Sequence, residues 1–196
     1  MACYFENKLE LILKPTHQVP SGILIHKKPS ANRDNPVSIA PISAAAWPDI
    51  LKIQDEAHTG VASETLEVLK SKWQASPQTC FVFQLPNNHM AGYLLAHPWD
   101  APEPPKLFES HDPSSSGQGL YLHDLAVSQN SRGLGVGKQL ACTLLKAAKA
   151  LRFKRVLLVA VQGSQGFWSS LGFTEIADGK VCASYGDDAS LMLINL

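Results

Sequence analysis

Residues 121–140 read YLHDLAVSQNSRGLGVGKQL. The opening run, Tyr121–Val127, has the apolar and aromatic content of a strand. The closing run leads into GKQLACTLLKAAKALR, which has helical spacing of Leu140, Leu144, Leu145, Ala148 and Leu151. Between them lie Gly133, Gly135 and Gly137, directly behind Arg132. A strand that passes through a glycine-rich turn into a helix presents backbone N–H groups and the positive end of a helix dipole, a combination that binds phosphates. The absent Cβ atoms let oxygens come close to the chain. Arg132 and Lys138 add positive charge at the two ends of the turn.

Three phosphate-binding patterns can be tested on these residues. A Walker loop needs GxxxxGK[ST]; Gly137–Lys138 supplies the GK, but Arg132 stands where the first glycine belongs and Gln139 where a magnesium-binding hydroxyl belongs. A dinucleotide fingerprint needs GxGxxG, whereas the spacing here is GxGxG followed by lysine. The pattern [Q/R]-x-x-G-x-[G/A] is matched in full by Arg132, Gly135 and Gly137. A glycine-rich turn without a ligand is the plain alternative.

Working outward, VSIAPI (Val37–Ile42) reads as a first strand, and SAAAWPDILKIQDEAH as a helix with Ser43 as N-cap and Pro48 in its first turn. SETLEVLKSKW (Ser63–Trp73) reads as a second helix, with Ser63 and Glu67 near its start. TCFVFQL (Thr79–Leu85) and MAGYLLAH (Met90–His97) flank the turn PNNH, which makes a hairpin. Residues 98–119 are rich in Pro, Ser and Gly and read as an irregular insertion of the kind that forms lids or binding loops. RVLLVAV (Arg155–Val161) is apolar throughout, as in a strand covered on both faces. SQGFWSSLGF gives a short helix ending at Gly172, and two strands follow, near Phe173–Ala177 and Leu191–Asn195. The order β-α-α-β-β-β-α-β-α-β-β predicts an α/β fold: one mixed, mostly antiparallel sheet with helices on its faces and one βαβ crossover carrying the glycine turn. Residues 1–36, interrupted at Pro15, Pro20 and Pro29, read as an N-terminal extension to a single domain over 37–196.

The composition narrows the function. With 17 basic and 17 acidic residues among 196, no net charge draws the chain to nucleic acid or to an anionic membrane. No apolar run approaches the ~20 residues of a membrane span, and the N-terminus lacks the features of a signal peptide. Cys3, Cys80, Cys142 and Cys182 fit no metal spacing and read as reduced thiols of a cytoplasmic protein, three of them in the core.

YLHDLAV, RGLGVGKQL and RVLLVAVQGSQGFWSSLGF follow one another in the order and spacing of the GNAT superfamily of acyl-CoA N-acetyltransferases, which this chain resembles over residues 37–196 and closely over 120–177. ASYGDDASLM also looks like a closing segment of bacterial members. The resemblance implies acetyl-CoA as co-substrate, without a metal. It implies that Arg132, Gly133, Leu134, Gly135, Val136, Gly137 and Lys138 cradle the pyrophosphate. The backbone of Leu125, Ala126 and Val127 would pair with the pantetheine arm, admitted by a splay between the fourth and fifth strands. Gln162, Gly163, Phe167 and Trp168 would lie beside the thiol end.

The implied reaction is attack of an amine on a thioester. An alkylammonium has a pKa near 10.4, so at pH 7 only about one molecule in a few thousand is nucleophilic, and a base is useful. His123 suits that role because histidine titrates near working pH. In the family, residues at the positions of Tyr121 and His123 often supply the base. Simple alternation puts Tyr121, His123, Leu125 and Val127 on one face and Leu122, Asp124 and Ala126 on the other, unless a bulge intervenes. Asp124 either orients a cationic acceptor or bonds a neighbouring backbone group. Many family members carry a tyrosine acid where this chain has Trp168, whose indole does not titrate; Tyr185 and Tyr121 are the other candidates for an acid. Trp47, His58, Trp73, His97, Trp99 and the 98–119 insertion fall where the fold builds its acceptor pocket, and each is otherwise ordinary packing; Asp55 and Glu56 either attract an ammonium or are simply solvated. The insertion argues for a covered pocket and a small-molecule amine, in a monomer or homodimer. The alternatives are a protein or peptide acceptor, or an acyl-CoA-binding sensor without turnover.

Overall fold

A computed structural model describes residues 37–57, 62–177 and 179–196. The N-terminal extension, Cys3 and His58 lie outside the described residues. The elements, in chain order, are β1 (Ser38–Pro41), α1 (Trp47–Ala57), α2 (Leu66–Ala75), β2 (Phe81–Gln84), β3 (Met90–Pro98), β4 (Gly119–Val127), α3 (Val136–Ala150), β5 (Arg155–Ala160), α4 (Gln165–Ser170), β6 (Thr174–Glu175) and β7 (Ser190–Asn195). This is the predicted order.

The strands form one sheet in the order β1-β2-β3-β4-β5-β7-β6. All neighbours are antiparallel except β4 and β5, the pair joined by the crossover through α3. Alternation along the strands supplies two faces. Phe81, Phe83, Leu94, Leu122, Val156 and Leu158 pack with Leu140, Leu144 and Ala148 of α3 and Trp168 of α4. Val82, Tyr93 and Leu95 face the other way, onto Trp47, Ile50 and Ile53 of α1 and Leu69 of α2. Leu140 and Leu144 are fully buried, and such side chains each contribute about 1.5–3 kcal/mol.

Local chemistry explains most element ends. Thr65, not Ser63, caps α2, accepting from the Val68 N–H at 3.4 Å. Ser43 precedes a single 3₁₀ turn without a side-chain cap, and α1 starts at Trp47. Gly172 closes α4 with φ +95°, while the N–H groups of Gly172 and Phe173 return to the carbonyls of Ser169 and Trp168. Of the described cysteines only Cys80 is buried; Cys142 is half-buried and Cys182 exposed, which corrects the expectation of three core thiols.

One irregularity positions the site. β3 and β4 pair Leu95 with Asp124 but Ala96 with Leu122, so His123 is an extra residue in β4. This β-bulge reverses the side-chain alternation. Leu122 and Leu125 therefore pack on the same face, with α3 and α4, while Ala126 packs with α1. The predicted grouping of Tyr121 with Leu125 and Val127 is wrong for that reason. The β4–β5 ladder runs from Gly119↔Arg155 to Leu122↔Leu158 and stops beside the bulge, although both strands continue. The two strands splay from that point.

Gly92 of β3 sits where this end of β4 crosses closely. A Cβ there would lie 2.7 Å from the Ala126 carbonyl oxygen and 3.1 Å from Val136 Cγ1. Gly92→Ala should destabilise the domain by about 1–3 kcal/mol in chemical denaturation, because backbone, not a mobile side-chain tip, must yield.

Candidate active site

The splay opens a cleft of about 430 Å³. Arg132 lines one end, beside the N-terminus of α3. Leu125 of β4 and Val159 of β5 line the middle, with Phe167 and Trp168 of α4. His123, Asp124, Glu64 and Gln54 lie at the other end, with Tyr185 and Leu107–Phe108 of the insertion.

The α3 end is built for an anion. Gly133 and Gly135 take φ +81° and +75°, conformations that other residues rarely adopt. Gly135 is the N-cap, so no side chain caps the first turn, and that turn holds no acidic residue. The leading N–H groups have no intrahelical acceptor. Space around Gly133 is open, and a Cβ on Gly137 would meet Leu125 and Phe167 in the cleft wall. Arg132, Leu134 and Lys138 are exposed, whereas the Val136 side chain is buried in the core. Gln162 lines the cleft at φ +54°, and the N–H of Gly163 donates to Asp188 at 3.2 Å.

The other end is a buried polar cluster. His123 Nε2 lies 2.6 Å from Glu64 Oε2. Glu64 Oε1 accepts from the Phe108 N–H at 2.8 Å and from Lys72 Nζ at 3.4 Å. Lys72 also donates to the Glu109 carbonyl at 3.0 Å. The backbone of Glu64 is clamped by Gln54, which accepts from its N–H at 3.1 Å and donates to its carbonyl at 3.0 Å. Burial pushes the Glu64 carboxyl up, but the His123 bond and charge, Lys72 and the Phe108 N–H outweigh it and hold the group at about 2. Burial lowers the Lys72 pKa, with Glu64 opposing. Glu64 escaped the sequence reading: it stands between Ser63 and Thr65 at a helix start, where acidic residues are common, and its partner is 59 positions away.

The predicted site residues divide. His123, Asp124, Leu125, Arg132, Gln162, Phe167, Trp168 and Tyr185 line the cleft. The Ala126 side chain is in the α1 core. Asp124 accepts from the Tyr93 hydroxyl, a side-chain partner rather than a backbone one. Tyr121 is buried behind Tyr185, with their hydroxyls 3.1 Å apart. The Tyr185 hydroxyl donates to the Pro105 carbonyl at 2.6 Å, so Tyr121 is the donor between the two tyrosines. Burial raises both phenols, Tyr185 to about 12.

Trp47, Trp73, His97 and Trp99 are not in the cleft wall. Trp47 and Trp73 pack edge to face in the α1 core at 5.8 Å, and Trp99 packs beside Tyr121, Leu157 and Leu191. Asp55 accepts from Ser63. Phe108, 44% exposed and held at φ +66°, joins Tyr185 and His123 at that end of the cleft.

His97 is fully buried, 3.9 Å ring to ring from His111 and 6.0 Å from His123. Its Nδ1 lies 3.1 Å from the Pro98 carbonyl, which only accepts, so Nδ1 carries the hydrogen. Burial, then the neighbouring His123 and His111, push its pKa down to about 2. A depressed folded-state value contributes stability above the unfolded value of 6.5 and loses it as pH falls. Unfolding free energy should therefore decline as pH drops below about 6.5, with a steeper fall below about 4.5 as Glu64 joins. His97→Phe should flatten the first limb, which denaturant titrations at successive pH values would measure.

Residues 47–173 match the family described as the Acetyltransferase (GNAT) family. No curated protein matches the chain. Among solved structures, the loading GNATL domain of CurA from Lyngbya majuscula is similar at TM-score 0.69 and 12% identity, covering 82% of this chain and 98% of that one. N-acetylglutamate synthase from Neisseria gonorrhoeae, complexed with coenzyme A and N-acetyl-glutamate, is similar at TM-score 0.62 and 13% identity, covering 83% and 36%. The NatC complex bound to Gag peptide and CoA is similar at TM-score 0.60 and 16% identity, covering 83% and 99%. These likenesses reinforce the fold, and the family match over 47–173 assigns it: this chain belongs to the GNAT acetyltransferase family.

Proposed function

We propose that residues 37–196 form an N-acetyltransferase domain that passes the acetyl group of acetyl-CoA to a primary amine of a small molecule, by direct attack in a ternary complex. The observation that carries this reading is the splay beside the His123 bulge, which joins an uncapped helix N-terminus to a buried His–Glu pair through one cleft.

In this reading Arg132 and the backbone of the 133–138 turn hold the pyrophosphate. The β4 edge from His123 to Val127, which lacks a β5 partner, offers its N–H and C=O groups to the pantetheine arm. The acceptor nitrogen attacks the thioester carbonyl carbon. The tetrahedral intermediate then breaks its C–S bond, and the thiolate leaves with the electron pair. His123 takes the proton that the amine gives up. Trp168 stands where a tyrosine acid is common, so the thiolate leaves without a proton from that position. Tyr185, its O–H committed to Pro105, is a wall of the acceptor end rather than an acid.

A small acceptor is supported by the insertion. Phe108 and Leu107 close the acceptor end, and bonds from the Tyr185 hydroxyl to the Pro105 carbonyl, from the Phe108 N–H to Glu64, from Lys72 to the Glu109 carbonyl and from the His111 N–H to Ser71 fasten them down. A peptide reading draws support from the NatC relative, which is bound to a peptide. The non-catalytic sensor reading draws support from Trp168. The thiols of Cys80 and Cys182 suit a reducing compartment, the cytoplasm.

The test is release of CoA thiol from acetyl-CoA over arylalkylamines, polyamines, aminoglycosides, amino acids and short peptides. Small amines should support turnover. His123→Ala should lower kcat by about 10²–10⁴-fold while acetyl-CoA binding, read by calorimetry, stays near wild type. Turnover with peptides alone would overturn the small-acceptor reading. Acetyl-CoA binding without turnover on any amine would overturn the enzyme reading.

A further inference from the structure

We propose that Glu64 is a positioning residue for this reaction: its two carboxylate oxygens set the tautomer of His123 and the seat of the acceptor wall together. The proposal rests on the reading that His123 takes the amine proton.

The first oxygen acts on the base. An ionised carboxylate can only accept, so Glu64 Oε2 at 2.6 Å requires the hydrogen on His123 Nε2. The lone pair is then on Nδ1, which is buried and has no protein partner among the described residues. A base needs that lone pair, so the acceptor amine must displace the side chains that cover Nδ1 to reach it. When Nδ1 takes a proton, the imidazolium charge forms against the carboxylate inside a low-dielectric cluster, where a charge-assisted bond is strong. Glu64 itself is spent as a base, because its oxygens already serve His123, Phe108 and Lys72.

The second oxygen acts on the wall. Glu64 Oε1 accepts the N–H of Phe108, whose φ of +66° is a conformation that a bulky residue adopts only when held. Lys72 bonds both that oxygen and the Glu109 carbonyl, so the insertion is tied at two successive residues. Gln54 keeps the carboxylate in place from α1 through the Glu64 backbone. The ring of the base and the ring that faces the acceptor thus hang from one side chain.

An amide cannot replace it. Gln has one acceptor oxygen where two sets of donors must be met. With its oxygen toward Phe108 and Lys72, its NH₂ donates to His123 Nε2 and forces the hydrogen onto Nδ1. With its oxygen toward His123, its NH₂ opposes the Phe108 N–H and the Lys72 ammonium.

Ring ¹⁵N NMR of the wild-type enzyme, with His123 assigned by comparison with His123→Ala, should show a protonated Nε2 and a bare Nδ1. Glu64→Gln should lower kcat by about 10²-fold or more, leave acetyl-CoA binding near wild type, and shift the His123 pattern toward protonated Nδ1. Glu64→Asp should recover part of kcat. The double variant Glu64→Gln/His123→Ala should be no slower than His123→Ala alone, because an amide that keeps its oxygen on Phe108 and Lys72 preserves the wall and alters only the bond to His123. A wild-type His123 protonated on Nδ1 overturns the proposal whether or not the variants fold, as does full kcat in Glu64→Gln or additive loss in the double variant. If His123→Ala itself retains full kcat, the base reading fails first, and that outcome is distinct from loss in His123→Ala with none in Glu64→Gln.

Discussion

A β-sheet ladder is satisfied only while its strands keep register, and here one extra residue breaks it. The His123 bulge gives β4 two residues where β3 has one. The partner on the other side, β5, follows β4 only as far as Leu122. Beyond that point β4 keeps a row of backbone groups facing the cleft instead of a neighbour. The shape of the site follows from this: an open cleft, an unpaired strand edge along it, and an imidazole at the head of the opening. The bulge also explains the reversal of sides, so that Leu125 joins the α3 face while Asp124 reaches Tyr93.

The polar cluster behind the opening is the second constraint. Glu64 and Lys72 are almost wholly buried, with 7% and 1% exposure. Burying charges is costly unless each is paired and hydrogen-bonded. Here the pair is completed by His123, a backbone N–H and a backbone carbonyl, and the resulting network holds α2, β4 and the insertion together. His97 stays neutral beside it because burial disfavours its charged form and His123, His111 and Lys72 oppose a further positive charge. The same network fixes the His123 ring and the seat of Phe108, so a single carboxylate ties a strand of the sheet to the insertion.

Much of this was legible in the residues. The element order was readable because hydrophobic period is local: Leu140, Leu144 and Ala148 mark a helix face, and Arg155–Val161 marks a covered strand. The glycine turn was readable because its conformation depends on contiguous residues. The acceptor end was legible only as a choice between pocket and packing. Trp47 and Trp73 were plausible pocket residues by position, yet they pack on each other because their large apolar rings bury best against the sheet. Phe108, in an irregular segment without periodicity, carried no signal at all.

The sequence by itself determined the fold class, the crossover and the place of the glycine turn, because each depends on side chains and backbone within a few residues of one another. Tertiary structure alone decided that His123 is the bulged residue, that Glu64 is its partner across 59 positions, and that the insertion delivers Phe108 to the cleft. Strand register, the pairing of buried charges and the seat of a loop are settled between segments far apart in the chain. Their energies arise only when those segments exclude water together, and no local pattern records that event.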